Sequence, residues 1–277
     1  MTTTNSLYID NTMLQCFCKC PRAFYYRHVR HLETQSQGIS PPLNFGRAIH
    51  KGLEVLYNTN DLSEALRGFK GELDPHPDSN DEKRNLETGL KMLIDYRAKW
   101  GKDEHWEILA VEVPYQFELT KDIVFCAKLD LVLKMMGQVY VGEHKTSGST
   151  GWFTPRPNHQ LSGYSFAGRV MGHDIAGAVV NILYVYAPST RKPLSERFHR
   201  IITARTEDEL EEWKHWVLAT KLNIDHCVQT GWFPQHTNDC FRCVYRDLCN
   251  TNKHSLEAMI ESQYMVREWK PWVTENE

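Results

Sequence analysis

Three residues at the far end of one predicted β-hairpin have the types and spacing for metal-dependent hydrolysis. Ile123 to Met135 and Gln138 to His144 are runs rich in Val, Ile, Tyr and Phe, and Met136-Gly137 fits between them as a two-residue turn. With Met135 paired to Gln138, counting back along both strands sets Asp130 directly opposite Glu143. Directly opposed side chains have Cβ atoms about 4.5–5.5 Å apart, close enough for two carboxylates to share one hard divalent cation. Lys145, two residues beyond Glu143, falls on the same face. Asp130 stands between Leu129 and Leu131, and Glu143 comes just after Val139-Tyr140-Val141. Charges in such strands are costly unless paired or metal-bound, which separates this set from an ordinary surface carboxylate pair with a charge partner. A metal held there would activate water and neutralise phosphate charge. The ammonium would orient that water or stabilise a pentacovalent transition state, so the chemistry that fits is phosphodiester hydrolysis.

A second constellation is the run Cys240-Phe241-Arg242-Cys243-Val244-Tyr245-Arg246-Asp247-Leu248-Cys249, a C-x2-C-x5-C spacing compact enough for three thiolates to converge on one centre. Structural zinc and cubane iron-sulfur clusters both commonly take four ligands, so a fourth must come from elsewhere, and spacing alone does not choose between the two metals. Cys126 and Cys227 read as buried thiols acting as small hydrophobes. Disulfides carry little weight, because Met1-Thr2-Thr3-Thr4-Asn5-Ser6 lacks the charged and apolar regions of a secretion leader. The expectation is a soluble, cytoplasmic protein.

The elements that must position these residues follow from periodicity. Helices are predicted from Met13 to Leu32, Asn44 to Tyr57, Leu62 to Gly71 and Asp81 to Trp100, with a loop over Gln35 to Pro42 and a turn-rich stretch from Asp74 to Asn80. The period then changes. Ile108 to Leu119 and the two hairpin strands suggest an antiparallel meander, and His159 to Met171 followed by Gly177 to Tyr186 reads as a helix and a buried strand, a right-handed parallel crossover. A helix from Glu207 to Val228 and the cysteine-rich tail complete the chain.

Composition bounds the partners. The 277 residues are 41% hydrophobic, enough for a real core, and carry 32 Lys+Arg against 35 Asp+Glu for a net charge of -3. No global positive field draws the protein onto polyanions, so any nucleic-acid surface must be local. No apolar run approaches the roughly 18 residues of a bilayer span. Lys19, Arg22, Arg27, His28, Arg30 and His31 form an acid-free basic stretch interleaved with Phe24, Tyr25 and Tyr26, suited to phosphates and stacked bases. Arg191, Lys192, Arg197 and Arg200 form a second cluster, with Glu196 its only opposing charge, and the tail adds Arg242 and Arg246.

Asp130 followed by Glu143-His144-Lys145 resembles the signature of the PD-(D/E)XK nuclease superfamily. Four further segments resemble its RecB-like branch: Cys20-Pro21-Arg22-Ala23-Phe24-Tyr25-Tyr26, Phe45-Gly46-Arg47-Ala48-Ile49-His50, Lys145-Thr146-Ser147 and Gln160-Leu161-Ser162-Gly163-Tyr164. The resemblance implies that Asp130 and Glu143 ligate Mg2+ or Mn2+, with the carbonyl of His144 a further ligand, and that Lys145 is the catalytic lysine. It implies that His50 completes the metal site and that Gln160 and Tyr164, one helical turn apart, position DNA or the active-site groups. Without it, His50 reads more simply as a hydrogen-bonded structural histidine, although Gly46 and Gly52 around it suggest close approach by another element. Glu112, a polar residue in Val111-Glu112-Val113-Pro114, stays outside the catalytic set, as an outer-shell group or the solvent side of its strand.

Iron-sulfur members of that branch, including AddB-type subunits and CRISPR-associated nucleases, place one cysteine far upstream of three near the C-terminus. By that likeness Cys20 joins Cys240, Cys243 and Cys249 around a [4Fe-4S] cluster, with Cys16 and Cys18 as competitors for the fourth position and zinc as the alternative metal. The implied architecture is a single α/β domain over residues 1–277. It has a mainly helical N-terminal part (1–105), a restriction-endonuclease-like core (106–205) with a mixed sheet flanked by helices, and a metal-stapled tail (206–277). The implied function is metal-dependent DNA cleavage, favouring an exonuclease on single strands or DNA ends. Recombination, repair, phage DNA processing or CRISPR adaptation in a bacterial, archaeal or phage-infected cell would fit, with any helicase partner separate. The rival is a non-catalytic DNA-binding or scaffolding module that keeps the fold and cluster. Such a homologue would be expected to lose at least one of Asp130, Glu143 and Lys145, and all three are present.

Overall fold

A computed structural model of the chain describes residues 7–35, 40–74, 81, 83–149, 151, 153–187 and 189–270. In chain order the elements are β1 (Leu7–Asp10), α1 (Asn11–Lys19), α2 (Pro21–Phe24), a π-helical turn (Tyr25–Val29), β2 (Leu32–Thr34), α3 (Pro41–Thr59), α4 (Leu62–Glu72), α5 (Leu86–Trp100), β3 (Trp106–Thr120), β4 (Ile123–Met135) and β5 (Gln138–Ser147). There follow α6 (His159–Val170), β6 (Ile175–Tyr184), α7 (Leu194–Arg197), β7 (Phe198–Thr203), α8 (Glu207–Thr230), a 3-10 turn (Cys240–Arg242), α9 (Arg246–Asn250), α10 (Leu256–Gln263) and β8 (Tyr264–Val266). Contacts group the chain into two compact units, Ile39–Tyr115 with Lys128–Leu210, and Met1–Gly38 with Gln116–Ala127 and Glu211–Glu277.

The first of these units, called here the sheet unit, holds strands in the order β4-β5-β6-β7, with β3 also on β4. β4 and β5 are antiparallel from Leu131↔Gly142 to Met135↔Gln138. Met136 and Gly137 both have positive φ, 52° and 81°, the type I′ geometry that favours glycine and locks a two-residue hairpin in register. β5 and β6 run parallel with α6 between them, and β7 closes the edge antiparallel to β6. This is the mixed sheet flanked by helices that the sequence implied.

Both faces of β6 are covered, so it reads as an almost unbroken apolar run. Leu183 and Val185 pack with Phe45, Ile49, Leu53, Phe69 and Leu93 of α3, α4 and α5. Val180, Ile182 and Tyr184 join Leu129, Val132, Val141 and Leu161, the last from α6. The glycines flanking His50 mark close approaches: a Cβ at Gly46 would lie 3.2 Å from Thr146 Oγ1, and one at Gly52 would lie 2.7 Å from Leu93 Cδ1.

In the second unit, called here the cysteine unit, β1 runs parallel to Ile123–Cys126 at the start of β4, and β2 pairs antiparallel with β8, Leu32 opposite Val266. Tyr26, Leu32, Tyr245, Leu248, Ile260 and Tyr264 form its core, with Cys243 and Cys249 at the margin. The Tyr245 hydroxyl donates to Leu32 O at 2.7 Å, and that of Tyr264 to Val244 O at 2.6 Å.

The helix expected from Met13 to Leu32 is broken in two. Pro21 takes the first position of α2, and Cys20 before it is extended at φ -162° and ψ 109°, as a residue preceding proline prefers. The helix expected from Asp81 begins instead at Leu86, capped by Asn85, whose side chain accepts from Thr88 N at 2.9 Å. β1, β2, β7 and β8 were not foreseen. Within the expected loop over 35–42 and turn over 74–80, residues 36–39 and 75–80 lie outside the described residues.

Candidate active site

β5 deals its side chains alternately to two environments. Glu143 and Lys145 meet α6, whereas His144 and Thr146 meet α3. The ammonium of Lys145 pairs with Glu143 Oε1 and donates to Gln160 Oε1 at 2.9 Å. Gln160 Nε2 in turn donates to Glu143 Oε1 at 3.1 Å and to the Tyr164 hydroxyl at 2.9 Å. One amide of α6 therefore ties together the carboxylate, the lysine and the tyrosine. Asn158 fixes the start of that helix by accepting from Leu161 N.

Asp130 is next in line after the Leu131↔Gly142 pair, and Glu143 stands at the corresponding place on β5, as the hairpin count expects. The Asp130 carboxylate accepts the His144 backbone N–H at 2.6 Å and lies 3.5 Å from His50 Nδ1. His50 thus reaches the carboxylates from α3, one turn after Gly46. A group the sequence reading set aside joins it: ligand atoms of His50, Glu112 and Asp130 all lie within 4.8 Å of one another. Glu112 has φ 51°, a left-handed conformation that a non-glycine residue in a strand adopts only when its surroundings impose it. Its partner is Lys128 at 2.9 Å. The signal available in the sequence was a carboxylate placed among β-formers, which did not separate a ligand from a solvent-facing residue.

The electrostatics follow from burying four charged groups together. Burial and the neighbouring Asp130 push the Glu143 carboxyl up to about 7. Burial would raise Asp130 as well, but His50 and the His144 N–H outweigh it and hold Asp130 well below the usual range. Burial lowers His50, and the Asp130 charge and hydrogen bond override that and raise it to about 9. Lys145 is raised because Glu143 outweighs its own desolvation, so the ammonium stays charged at neutral pH. Glu143 Oε2 is buried without a hydrogen-bond partner. The imidazole of His50 and the carboxylates of Glu112 and Asp130, with the orphaned oxygen of Glu143 on the neighbouring strand, are donor types a hard divalent cation uses. With bonds of about 2.1 Å its opposite ligands lie about 4.2 Å apart, so the residues present fit such an ion.

The His144 ring is not part of that set. Burial lowers its pKa to about 3, and its Nδ1 lies 3.0 Å from Asn181 Nδ2, which makes it the acceptor. Asn181 also donates to the Tyr96 hydroxyl at 2.8 Å, and Tyr57 stacks on the imidazole with ring centres 5.7 Å apart. Arg200 joins this network, donating to Tyr96 at 3.0 Å and to both oxygens of Asp103, while its guanidinium lies 3.9 Å and 3.7 Å from the ring centres of Trp100 and Trp106. Two more members of the second basic cluster are also paired, Arg197 with Asp95 and Lys192 with Glu196. Arg197 and Arg200 are structural, because largely buried carboxylates distant in sequence meet them, whereas Lys192 pairs with its sequence neighbour at the surface.

In the cysteine unit, Cys20, Cys240, Cys243 and Cys249 are all half-buried and none is disulfide-bonded. His236 links two of them: its N–H donates to Cys20 Sγ at 3.5 Å, and the Cys240 thiol donates to its carbonyl at 3.7 Å. Burial raises the Cys249 thiol, with Cys243 and Cys20 close enough to add to the shift, and burial pushes Cys16 up to about 11 with Cys20 and Cys243 contributing in the same sense. Cys18 turns instead to the Thr220 hydroxyl at 3.8 Å. Cys126 and Cys227 are buried, as expected. The aromatics expected to interleave a basic surface do not: Phe24 and Tyr26 are 3% and 2% exposed, and Tyr25 packs against Phe233. A helical turn that must bury a core stripe spends its aromatics there. Among the described residues no helix is long and apolar enough to cross a membrane.

The model of the PD-(D/E)XK nuclease superfamily matches residues 11–250. A search of curated proteins finds no significant match. Among solved structures, "Putative exonuclease" from Eubacterium rectale is 14% identical, with 89% of each chain covered and a TM-score of 0.51, which speaks for a shared fold. LHK-Exo, solved in complex with dAMP, is 11% identical over 67% of this chain and 96% of its own, with a TM-score of 0.34.

Proposed function

The chain belongs to the PD-(D/E)XK nuclease superfamily, and from that premise we propose that it is a divalent-metal-dependent deoxyribonuclease acting exonucleolytically on single-stranded DNA or DNA ends. The observation that carries the reading is the closed set of Glu143, Lys145 and Gln160, with one oxygen of Glu143 left unpartnered, together with the convergence of His50, Glu112 and Asp130. His50, Asp130 and Glu143, with Glu112 and the carbonyl of His144 as further donors, would hold Mg2+ or Mn2+. Bound there, the metal supplies a nucleophilic water and charge neutralisation at the scissile phosphate. Lys145 keeps its proton and aims it at the attacking water or a non-bridging phosphate oxygen. Gln160 fixes the direction of that ammonium, and Tyr164 holds the far side of the amide. Asp130 takes its orientation from the His144 N–H, which Asn181 and Tyr57 steady through the ring.

Cys20, Cys240, Cys243 and Cys249 would hold a [4Fe-4S] cluster that ties the N-terminal and C-terminal segments of the cysteine unit together. Zinc is the alternative metal for the same four thiolates. DNA is the substrate, and helicase, recombination or CRISPR adaptation proteins are the partners that would supply it.

The test is degradation of 5′- and 3′-labelled single- and double-stranded DNA in Mg2+ or Mn2+, comparing the wild type with Lys145→Ala. The expected result is stepwise loss of label in the wild type and at least a thousandfold slower loss in the variant. Equal rates in both, or none in either across metals, removes the assignment.

A further inference from the structure

We propose that Trp232 and Phe241, each with an arginine seated on its ring, form a stacking platform for the unpaired bases of single-stranded DNA. This deepens the reading above and rests on DNA being the substrate. Isolated exposed apolar side chains are common and mean little alone. These two are 67% and 69% exposed, and they lie on a segment that is pinned rather than loose. Arg22 N and Nε donate to Pro234 O at 3.0 Å and Phe233 O at 2.8 Å. His236 Nδ1 meets Lys19 O at 3.0 Å, and the Cys20 and Cys240 thiols close around the backbone of His236. Phe233 turns into the unit and packs against Tyr25 with the rings tilted, which leaves Trp232 turned out. A ring held outward on a fixed backbone presents its π-face without an ordering penalty at binding.

The charges choose the partner. The Arg22 guanidinium lies 5.5 Å from the Trp232 ring centre and that of Arg242 4.9 Å from the Phe241 ring centre. Neither has a carboxylate within ion-pairing distance among the described residues, whereas Lys19, Arg30 and Arg246 pair with Asp239, Glu257 and Asp247. The unpaired cations and the outward rings thus coincide. That pattern fits a ligand alternating flat faces and phosphates, and every base has a π-face, so the platform is indifferent to sequence. Arg22 comes from the basic stretch foreseen in the sequence, but the ring beside it comes from more than two hundred residues downstream.

The measurement is fluorescence anisotropy of labelled oligo(dT) with the full-length protein in EDTA, where binding is read without cleavage. Stacking of one base on an aromatic ring is lost as about a tenfold weaker Kd on alanine substitution. Trp232→Ala and Phe241→Ala are each expected to weaken oligo(dT) binding about tenfold, Trp232→Tyr to restore it to within about threefold, and Arg242→Gln to lower the salt slope by about 0.7. Unchanged Tm in these variants shows that the fold is intact. Alanine variants that bind oligo(dT) as the wild type does overturn the platform, as they would if the rings served a protein partner. So does an equal loss on blunt duplex. A wild type that binds oligo(dT) through these rings but leaves labelled DNA intact in Mn2+ refutes the nuclease reading while the platform stands.

Discussion

The carboxylate centre of the sheet unit and the cysteine set of the other unit are both polar clusters in a protein with an apolar core, yet their local energetics run in opposite directions. Asp130 and Glu143 are buried in strands among Leu129, Leu131 and Val141, and one oxygen of Glu143 has no partner. Burial and the neighbouring Asp130 disfavour the Glu143 charge in the metal-free fold, whereas His50 and the His144 N–H compensate that of Asp130. The cysteines are neutral as thiols and half-buried at the edge of a small tyrosine-rich core. Binding at the first cluster serves chemistry, whereas binding at the second would add to folding. The difference teaches that burial of a charge without full pairing marks a reaction centre, while gathering of soft ligands across distant chain segments marks a staple.

Four measurements break or sharpen that contrast. The largest effect is expected from Glu143→Gln/Lys145→Met. It removes both members of a buried ion pair, so cleavage of labelled DNA should fall by about a thousandfold or more while Tm in EDTA holds or rises. A large Tm loss would mean that the pair stabilises the fold. Next is Cys243→Ser, or removal of the bound metal by chelation. Each should lower Tm on the order of 10 °C by calorimetry, far more than the double variant does.

The third is the pH dependence of the metal-free protein. Glu143, raised from 4.5 to about 7, keeps a proton that the unfolded chain has already released, so stability falls as pH rises between those values. His50, raised from 6.5 to about 9, gives stability that is complete below 6.5 and lost as pH climbs through about 9. Both slopes have the same sign. Tm in EDTA should therefore drop by about 5 °C from about pH 6.5 to about pH 9, above the range in which His144, lowered to about 3, gives the opposite slope, and saturating Mn2+ should reverse the trend by displacing the protons. The smallest effect is expected for Glu257→Ala, which removes the exposed partner of Arg30 and should shift stability by less than about 0.5 kcal/mol in urea titration.

What was legible in the sequence was local. The hairpin register could be counted because Met136-Gly137 permits one turn geometry, and every pair from Met135↔Gln138 to Leu131↔Gly142 follows from it. Gln160 and Tyr164 share a helix face by spacing alone, and they do meet. What escaped depended on distant partners. β2 and β8 are three residues each and exist only because Leu32 finds Val266. Arg197 and Arg200 looked like a basic patch until Asp95 and Asp103 met them from another part of the chain. Glu112 was passed over because its left-handed φ, which interrupts ordinary strand geometry at that residue, leaves no mark in a pattern of alternating side chains.

The pairing of β2 with β8 fixes an order of events at the ribosome. Residues 39–115 and 128–210, which make up the sheet unit, emerge as a nearly continuous stretch and can begin to pack while synthesis continues. The cysteine unit cannot: Leu32 waits for Val266, and Arg22 waits for the carbonyls of Phe233 and Pro234. Its first segment, with Tyr26 and Leu32, must stay unsatisfied through more than two hundred further residues of translation. Termination after residue 210 but before that point would leave a nascent chain with a complete sheet unit and an open aromatic N-terminus, a species for chaperones or proteases to recognise.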